Sequence, residues 1–212
     1  MRYLLVAGGT VDLCQLKNVY DSLDNPCVIG IDKGCRYLYE LGLPIHKAIG
    51  DFDSIGEGYA DILQYCDGIE KLNPIKDDTD TEHAVHFVIE QGAEEVVILG
   101  GTGSRLDHTL SSIYLLKCFA DKGIDAYILN KNNRIYMKKD RIEFEKAKVF
   151  GKYISIFPYQ GNGMIKSIEG FKYEARGLEL PLNSSRGVSN ELTSDTGYIE
   201  TEDYIVIMET CD

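Results

Sequence analysis

Two short acidic stretches hold the residues best suited to chemistry. Ile49-Gly50-Asp51-Phe52-Asp53-Ser54 sets two carboxylates two positions apart, and Lys76-Asp77-Asp78-Thr79-Asp80 adds three more. Carboxylates crowded together repel, so such a cluster costs stability unless a cation sits among them. Mg²⁺ suits an all-oxygen site and commonly binds through one or two carboxylates plus substrate phosphates. The pattern points to a Mg-nucleotide site, with a pair of solvated acidic loops as the alternative. In an extended turn, one of Asp51 and Asp53 could face a ligand while the other faces structure or a second metal position. Asp80 opens a helix, where a carboxylate can serve as a cap, and Thr79 is an equally good cap.

A third stretch, Gly100-Gly101-Thr102-Gly103-Ser104-Arg105-Leu106-Asp107-His108, supplies the opposite chemistry. Glycines let backbone N–H groups approach phosphate, and the helix that follows adds a favourable dipole. Arg105 brings the fixed positive charge that a polyphosphate needs, and Asp107 and His108 could position that arginine or metal-bound waters. The loop is neither a Walker loop nor a dinucleotide fingerprint. His83 and His86 share a helix without an obvious third ligand and read as ordinary helix-face histidines.

The whole chain has 212 residues and a formal charge of −12. Nucleic acid and anionic membrane both need a basic surface, so neither is expected as a partner. Lys47 to Glu82 contains ten acids and three bases, so −7 of the charge surrounds the two acidic stretches. The six cysteines form no CxxC pair and the four histidines no zinc spacing. The first nine residues run straight into a strand and turn, and no apolar run has membrane-spanning length. A soluble, cytoplasmic protein is expected.

The elements that must position these residues follow from periodicity. Tyr3–Ala7, Cys27–Ile31, Lys47–Gly50, Ile69–Leu72, Glu95–Leu99 and Ala126–Leu129 are short runs, most of them apolar, that read as strands. Helical patterns lie between them, and Leu110, Ile113, Tyr114 and Phe119 are expected inward on the last helix. This alternation predicts a parallel sheet covered on both faces. Thr79-x-x-Glu82 is a capping box. Past the polar stretch Asn130–Asn133, short strand-like runs separated by Gly, Asn, Pro and Ser turns predict an all-β sandwich or barrel. The expected division is a three-layer α/β domain over 1–130 and an all-β domain over 131–212. Ligands bind at the carboxyl ends of parallel strands. Gly8-Gly9, Asp32, Asp51/Asp53, Asp77/Asp80 and Gly100–His108 all follow strands, so they should converge on one rim.

In this order and spacing, the three stretches resemble the thiamine pyrophosphokinase (thiamine diphosphokinase) family. Arg186-Gly187-Val188-Ser189-Asn190 is similar to that family's C-terminal Ser-Asn motif. The resemblance implies an N-terminal α/β domain, a C-terminal β-sandwich, and a homodimer with active sites at the subunit interface. It also implies transfer of the β,γ-diphosphoryl group of ATP to the hydroxyl of thiamine, releasing AMP. It implies that Asp51, Asp53 and Asp80 hold Mg²⁺ with Asp77 close by, and that these four with Arg105 form the catalytic set. Asp32, Lys76, Thr79, Gly100, Gly101, Gly103, Arg105, Asp107 and His108 are the implied ATP contacts, and Ser189 and Asn190 the implied thiamine contacts. The chain departs from the family at Asp32-Lys33-Gly34, where Asp-Gly-Gly is frequent, and at His46-Lys47, where Pro-Asp is usual. With no tryptophan, any aromatic stacking on thiamine falls to tyrosine or phenylalanine. A pyrophosphokinase for another hydroxymethyl heterocycle, such as a pterin, and a non-catalytic thiamine- or nucleotide-binding module are the alternatives.

Overall fold

A computed structural model describes residues 1–52, 59–73 and 78–212, with Tyr59 described by its backbone alone. The chain divides into two compact units, Met1–Lys131 and Asn132–Asp212, at the polar stretch that separates the two sequence rhythms.

The first unit alternates strand and helix. Its strands are β1 (Arg2–Val6), β2 (Cys27–Ile31), β3 (Lys47–Gly50), β4 (Ile69–Lys71), β5 (Glu95–Leu99) and β6 (Asp125–Leu129). They pair in parallel in the order β6-β5-β1-β2-β3-β4. The interiors of the central strands β1 and β5 are fully buried, from Leu4 and Leu5 to Val96, Val97 and Ile98, as continuous apolar runs in a doubly covered sheet require, while β4 at the edge has no buried residue. The chain winds outward from β1 to β4, then returns to the other side of β1 for β5 and β6. That reversal makes the carboxyl ends of β1 and β5 a topological switch point, where a crevice opens.

The connecting helices are α1 (Leu13–Ser22), α2 (Gly34–Glu40), α3 (Tyr59–Tyr65), α4 (Asp80–Glu90) and α5 (Leu106–Ala120). Asp12 caps α1 by accepting from the Gln15 N–H at 2.8 Å. Helix α4 buries Ala84, Val85 and Val88. Helix α5 corrects the sequence expectation in part. Ile113 and Phe119 are buried as expected, but Leu110 and Tyr114 are each 51% exposed, and Leu106 is 77% exposed. The inward face carries Ser112, Leu115 and Leu116 instead. Leu106, Leu110 and Tyr114 recur every four residues, so they share one outer face. The helix is apolar on two faces, and periodicity cannot say which of the two meets the sheet.

The second unit is antiparallel. Its strands are β7 (Asn133–Glu145), β8 (Tyr153–Pro158), β9 (Gly163–Glu169), β10 (Ala175–Leu180), β11 (Asn190–Glu191) and β12 (Thr196–Thr210). Gly197–Glu200 and Tyr204–Met208, which the sequence presents as two of the separate short runs, belong to one strand of 15 residues, β12. A register irregularity between Thr201 and Ile205 interrupts its pairing with β7. Before it, β12 pairs with β9, and after it with β8. A bulge bends a strand and increases its twist, so β12 serves two layers around one core. That core includes Ile142, Phe144, Ile156, Ile165, Phe171, Leu192, Ile199 and Ile207. Phe144 and Phe171 meet edge to face at 5.3 Å. Near the end of β12, the buried Glu209 carboxylate accepts from the Tyr136 hydroxyl at 2.7 Å and pairs with Arg134.

Candidate active site

The site begins with Asp32, the residue after β2. Its N–H donates to the Ile49 carbonyl at 3.0 Å, and its φ is +47°. Its carboxylate accepts from the Phe52 N–H at 3.2 Å. Gly50 is required at this point. A Cβ there would stand 1.9 Å from the Asp32 carboxylate oxygen. Phe52 also adopts a left-handed φ of +64° and is 3% exposed. The Gly-Asp-Phe run therefore buries its aromatic ring as an anchor.

Asp51 and Asp80 complete a cluster. One oxygen from each of Asp32, Asp51 and Asp80 lies within 4.8 Å of the others. Asp80 is the first residue of α4, whose cap is Thr79: its hydroxyl accepts from the Glu82 N–H at 3.1 Å. Burial pushes the Asp32 carboxyl up from its ordinary 3.8 to about 7, aided by a hydrogen bond and charge repulsion from Asp80 and by the charge of Asp51. Three converging carboxylates, one of them pushed toward the protonated state, form a donor set that fits a hard divalent cation.

Across the crevice lies the glycine loop. The Gly9 N–H donates to the Gly100 carbonyl at 2.9 Å, and the Thr10 N–H to the Thr102 carbonyl at 2.8 Å. These bonds join the β1 and β5 loops side by side. Gly100 has φ +70°, and a Cβ there would meet the Ala7 carbonyl at 2.2 Å, so only glycine permits the approach. The Gly103 N–H donates to the Thr109 hydroxyl at 3.3 Å. Arg105 is held by Asp107 through two contacts, Nε to Oδ1 at 3.2 Å and Nη2 to Oδ2 at 2.6 Å. The guanidinium holds the Asp107 carboxyl down at about 2.

These groups enclose a cleft of about 520 Å³. Of the residues singled out from sequence, Gly8, Gly9, Asp32, Asp51, Thr79, Asp80, Gly100, Gly101, Gly103, Arg105 and His108 line it. Asp107 acts from behind Arg105. Asp53, Lys76 and Asp77 lie outside the described residues. Asp78 of the second acidic stretch also lines the cleft, as do Lys33 and Ser104, to which the sequence assigns no role. Lys33 had a readable signal, since it follows β2 beside Asp32.

Ser189 and Asn190 belong to the second unit. Ser189 has φ +57°, and its N–H donates to the Ser155 hydroxyl at 2.9 Å. The Asn190 amide donates to the Tyr173 carbonyl at 2.9 Å and accepts from the Tyr173 N–H at 3.0 Å. It thereby spans one backbone unit of a neighbouring loop, the one that carries Tyr173, which is 61% exposed.

A carboxylate cluster, an arginine held in place and a glycine loop at the switch point of a parallel sheet define a phosphate-transferring kinase. An all-β unit follows it in the same chain. The chain belongs to the thiamin pyrophosphokinase family. The catalytic-domain family, described as Thiamin pyrophosphokinase, catalytic domain, matches residues 22–128, and the vitamin B1 binding domain matches residues 139–206. A thiamine pyrophosphokinase of Bacillus subtilis (strain 168) is 32% identical over 214 residues, covering 96% of this chain and 95% of the relative. The solved structure of a Bacillus subtilis thiamine pyrophosphokinase superposes with a TM-score of 0.89 at 28% identity, covering all of both chains. That of a Geobacillus thermodenitrificans thiamin pyrophosphokinase gives 0.87 at 25% identity, over 100% of this chain and 98% of the other.

Proposed function

We propose that this chain transfers the β,γ-diphosphoryl group of ATP to the hydroxyl of thiamine, giving thiamine diphosphate and AMP, with Mg²⁺ as the required ion. The observation that carries this reading is the Asp32–Asp51–Asp80 cluster facing the Gly100–Arg105 loop across one cleft. It has the two halves that phosphoryl transfer demands, a cation site and a phosphate grip. Asp32, Asp51 and Asp80, with Asp53 from the same motif, would hold the ion. Bound Mg²⁺ supplies charge neutralisation to the polyphosphate oxygens.

The chain's own residues do the rest. The loop N–H groups and Arg105 receive phosphate oxygens, and Asp107 fixes the guanidinium so that little orientation is lost on binding. A carboxylate of the second acidic stretch, Asp77 or Asp80, accepts the hydroxyl proton as a minor contribution. Ser189 contacts thiamine, and Asn190 sets the loop that carries Tyr173. Thiamine is a cation, so the acidic field around the cleft favours its arrival.

The enzyme works as a homodimer with its sites at the subunit interface. Leu106 and Leu110, exposed apolar residues on α5 next to Arg105 in the chain, support this as surface suited to association. Six free cysteines fit a cytoplasmic setting, and among the described residues no helix is long and apolar enough to cross a membrane. The vitamin B1 binding-domain match disfavours a pterin substrate.

The deciding experiment incubates the protein with thiamine, ATP and Mg²⁺ and separates the products. Thiamine diphosphate and AMP in equal amounts are expected. ADP with thiamine monophosphate would overturn the pyrophosphoryl assignment. Thiamine binding without turnover would make the chain a binding module.

A further inference from the structure

His83 does more than cover a helix face. It lies in the first turn of α4, three residues after Asp80, and its N–H donates to the Thr79 carbonyl at 3.0 Å. Its Nε2 is 2.7 Å from Glu70 Oε1 on β4. The other Glu70 oxygen pairs with Lys47 Nζ at 2.6 Å, at the start of β3. Lys47 Nζ also lies 3.9 Å from the centre of the Phe87 ring, one turn further along α4. On its other side, His83 Nδ1 faces Asp78 Oδ2 at 3.8 Å.

The chemistry of the chain of contacts is directional. Lys47 first, and His83 as well, hold the Glu70 carboxyl below its usual range. An ionised carboxylate only accepts, so His83 Nε2 carries the hydrogen and donates to it. The 3.8 Å approach of Nδ1 to Asp78 is too long for a hydrogen bond, so the Glu70 contact is the one that holds the ring. The four side chains are between 26% and 41% exposed, so their contacts are partly shielded from solvent.

The geometry matters because of what stands at each end. Strand β3 leads directly into Asp51. The Leu72 N–H after β4 donates to the Gly50 carbonyl at 2.8 Å. Helix α4 begins at Asp80. Asp51 and Asp80 repel each other, yet one oxygen of each lies within 4.8 Å of the other. The Lys47–Glu70–His83 chain ties the strand floor that ends in Asp51 to the helix turn that begins with Asp80.

We propose that His83 is a positioning residue: through Glu70 and Lys47 it holds the Asp78-Thr79-Asp80 turn at the distance from Asp51 that the metal requires. This rests on reading Asp32, Asp51 and Asp80 as a Mg²⁺ site.

The test compares His83→Ala, His83→Gln and the unsubstituted enzyme in two measurements. Hydrogen exchange on the metal-free protein reports the turn itself, and steady-state kinetics report the Mg²⁺ concentration for half-maximal rate. In His83→Ala, amides 79–84 should exchange about 5-fold faster, the size of one lost hydrogen bond, while β1 and β5 stay unchanged. Half-saturating Mg²⁺ should rise about 5-fold on the same basis, with the rate at saturating Mg²⁺ within about twofold. His83→Gln keeps a donor for Glu70 and should restore most of both. Unchanged exchange would overturn the proposal, as would faster exchange with unaltered Mg²⁺ dependence, or a glutamine variant no better than alanine. If the unsubstituted enzyme needed no Mg²⁺, the metal reading would fall, and the exchange comparison would still decide whether His83 holds the turn.

Discussion

At Asp80, replacing carboxylate by amide changes charge while keeping shape. Asp80 is not the helix cap, because Thr79 fills that role, so Asp80→Asn should leave α4 intact. It should weaken Mg²⁺ use by about 100-fold, at the upper end for residues that shape a metal site. A near-normal Mg²⁺ response in that variant would remove Asp80 from the site. Thermal melting should show no loss, since removing a like charge from the cluster relieves repulsion. Asp32 makes a second prediction, on pH. Its carboxyl is raised from 3.8 to about 7 in the fold, so the unfolded chain ionises it first. Its contribution to metal-free stability is complete below 3.8 and is lost as pH climbs to about 7. The melting temperature of the metal-free protein should fall across that window, less so in Asp32→Asn, and Mg²⁺ should reverse the fall. Identical profiles for the two proteins would refute this.

Among the elements, β3 and its exit turn are the least tolerant. Gly50 lies against the Asp32 carboxylate, and an added Cβ at 1.9 Å would force that carboxylate away. Gly50→Ala should cost at least ~1 kcal/mol through the backbone alone, because φ is +151° there, and should raise the Mg²⁺ needed for half-maximal rate. Melting curves and Mg²⁺ titrations together check this. A variant with unaltered Mg²⁺ response would mean that Asp32 is not needed where it stands. Helix α4 carries two duties at once. Its buried face, Ala84, Val85 and Val88, follows from periodicity, whereas its polar first turn binds Thr79, Asp80 and His83 to three different tasks.

For the whole molecule, the proposed homodimer is tested at the exposed α5 residues Leu106 and Leu110. Leu110→Glu should shift the protein to monomer in sedimentation or light scattering and lower turnover with it. A dimer that persists unaltered would place the interface elsewhere. The strand–helix alternation, the change of rhythm near Asn130 and the three motif stretches are local patterns, so sequence by itself determined the fold class and the family. It also determined that Thr79 could cap α4. It did not determine that Thr79, rather than Asp80, would do so, because both chemistries suit that position. Only the tertiary structure decided that Leu110 and Tyr114 face outward, since α5 has two apolar faces and the sheet covers one. It alone fused two expected strands into β12, because a bulge looks like a turn in sequence. It likewise brought Asp32 to Asp51 and Asp80, and Glu70 to His83, because the order β6-β5-β1-β2-β3-β4 is set by packing between distant segments. The two acidic stretches announce a charge problem locally; the sheet determines which carboxylates share it.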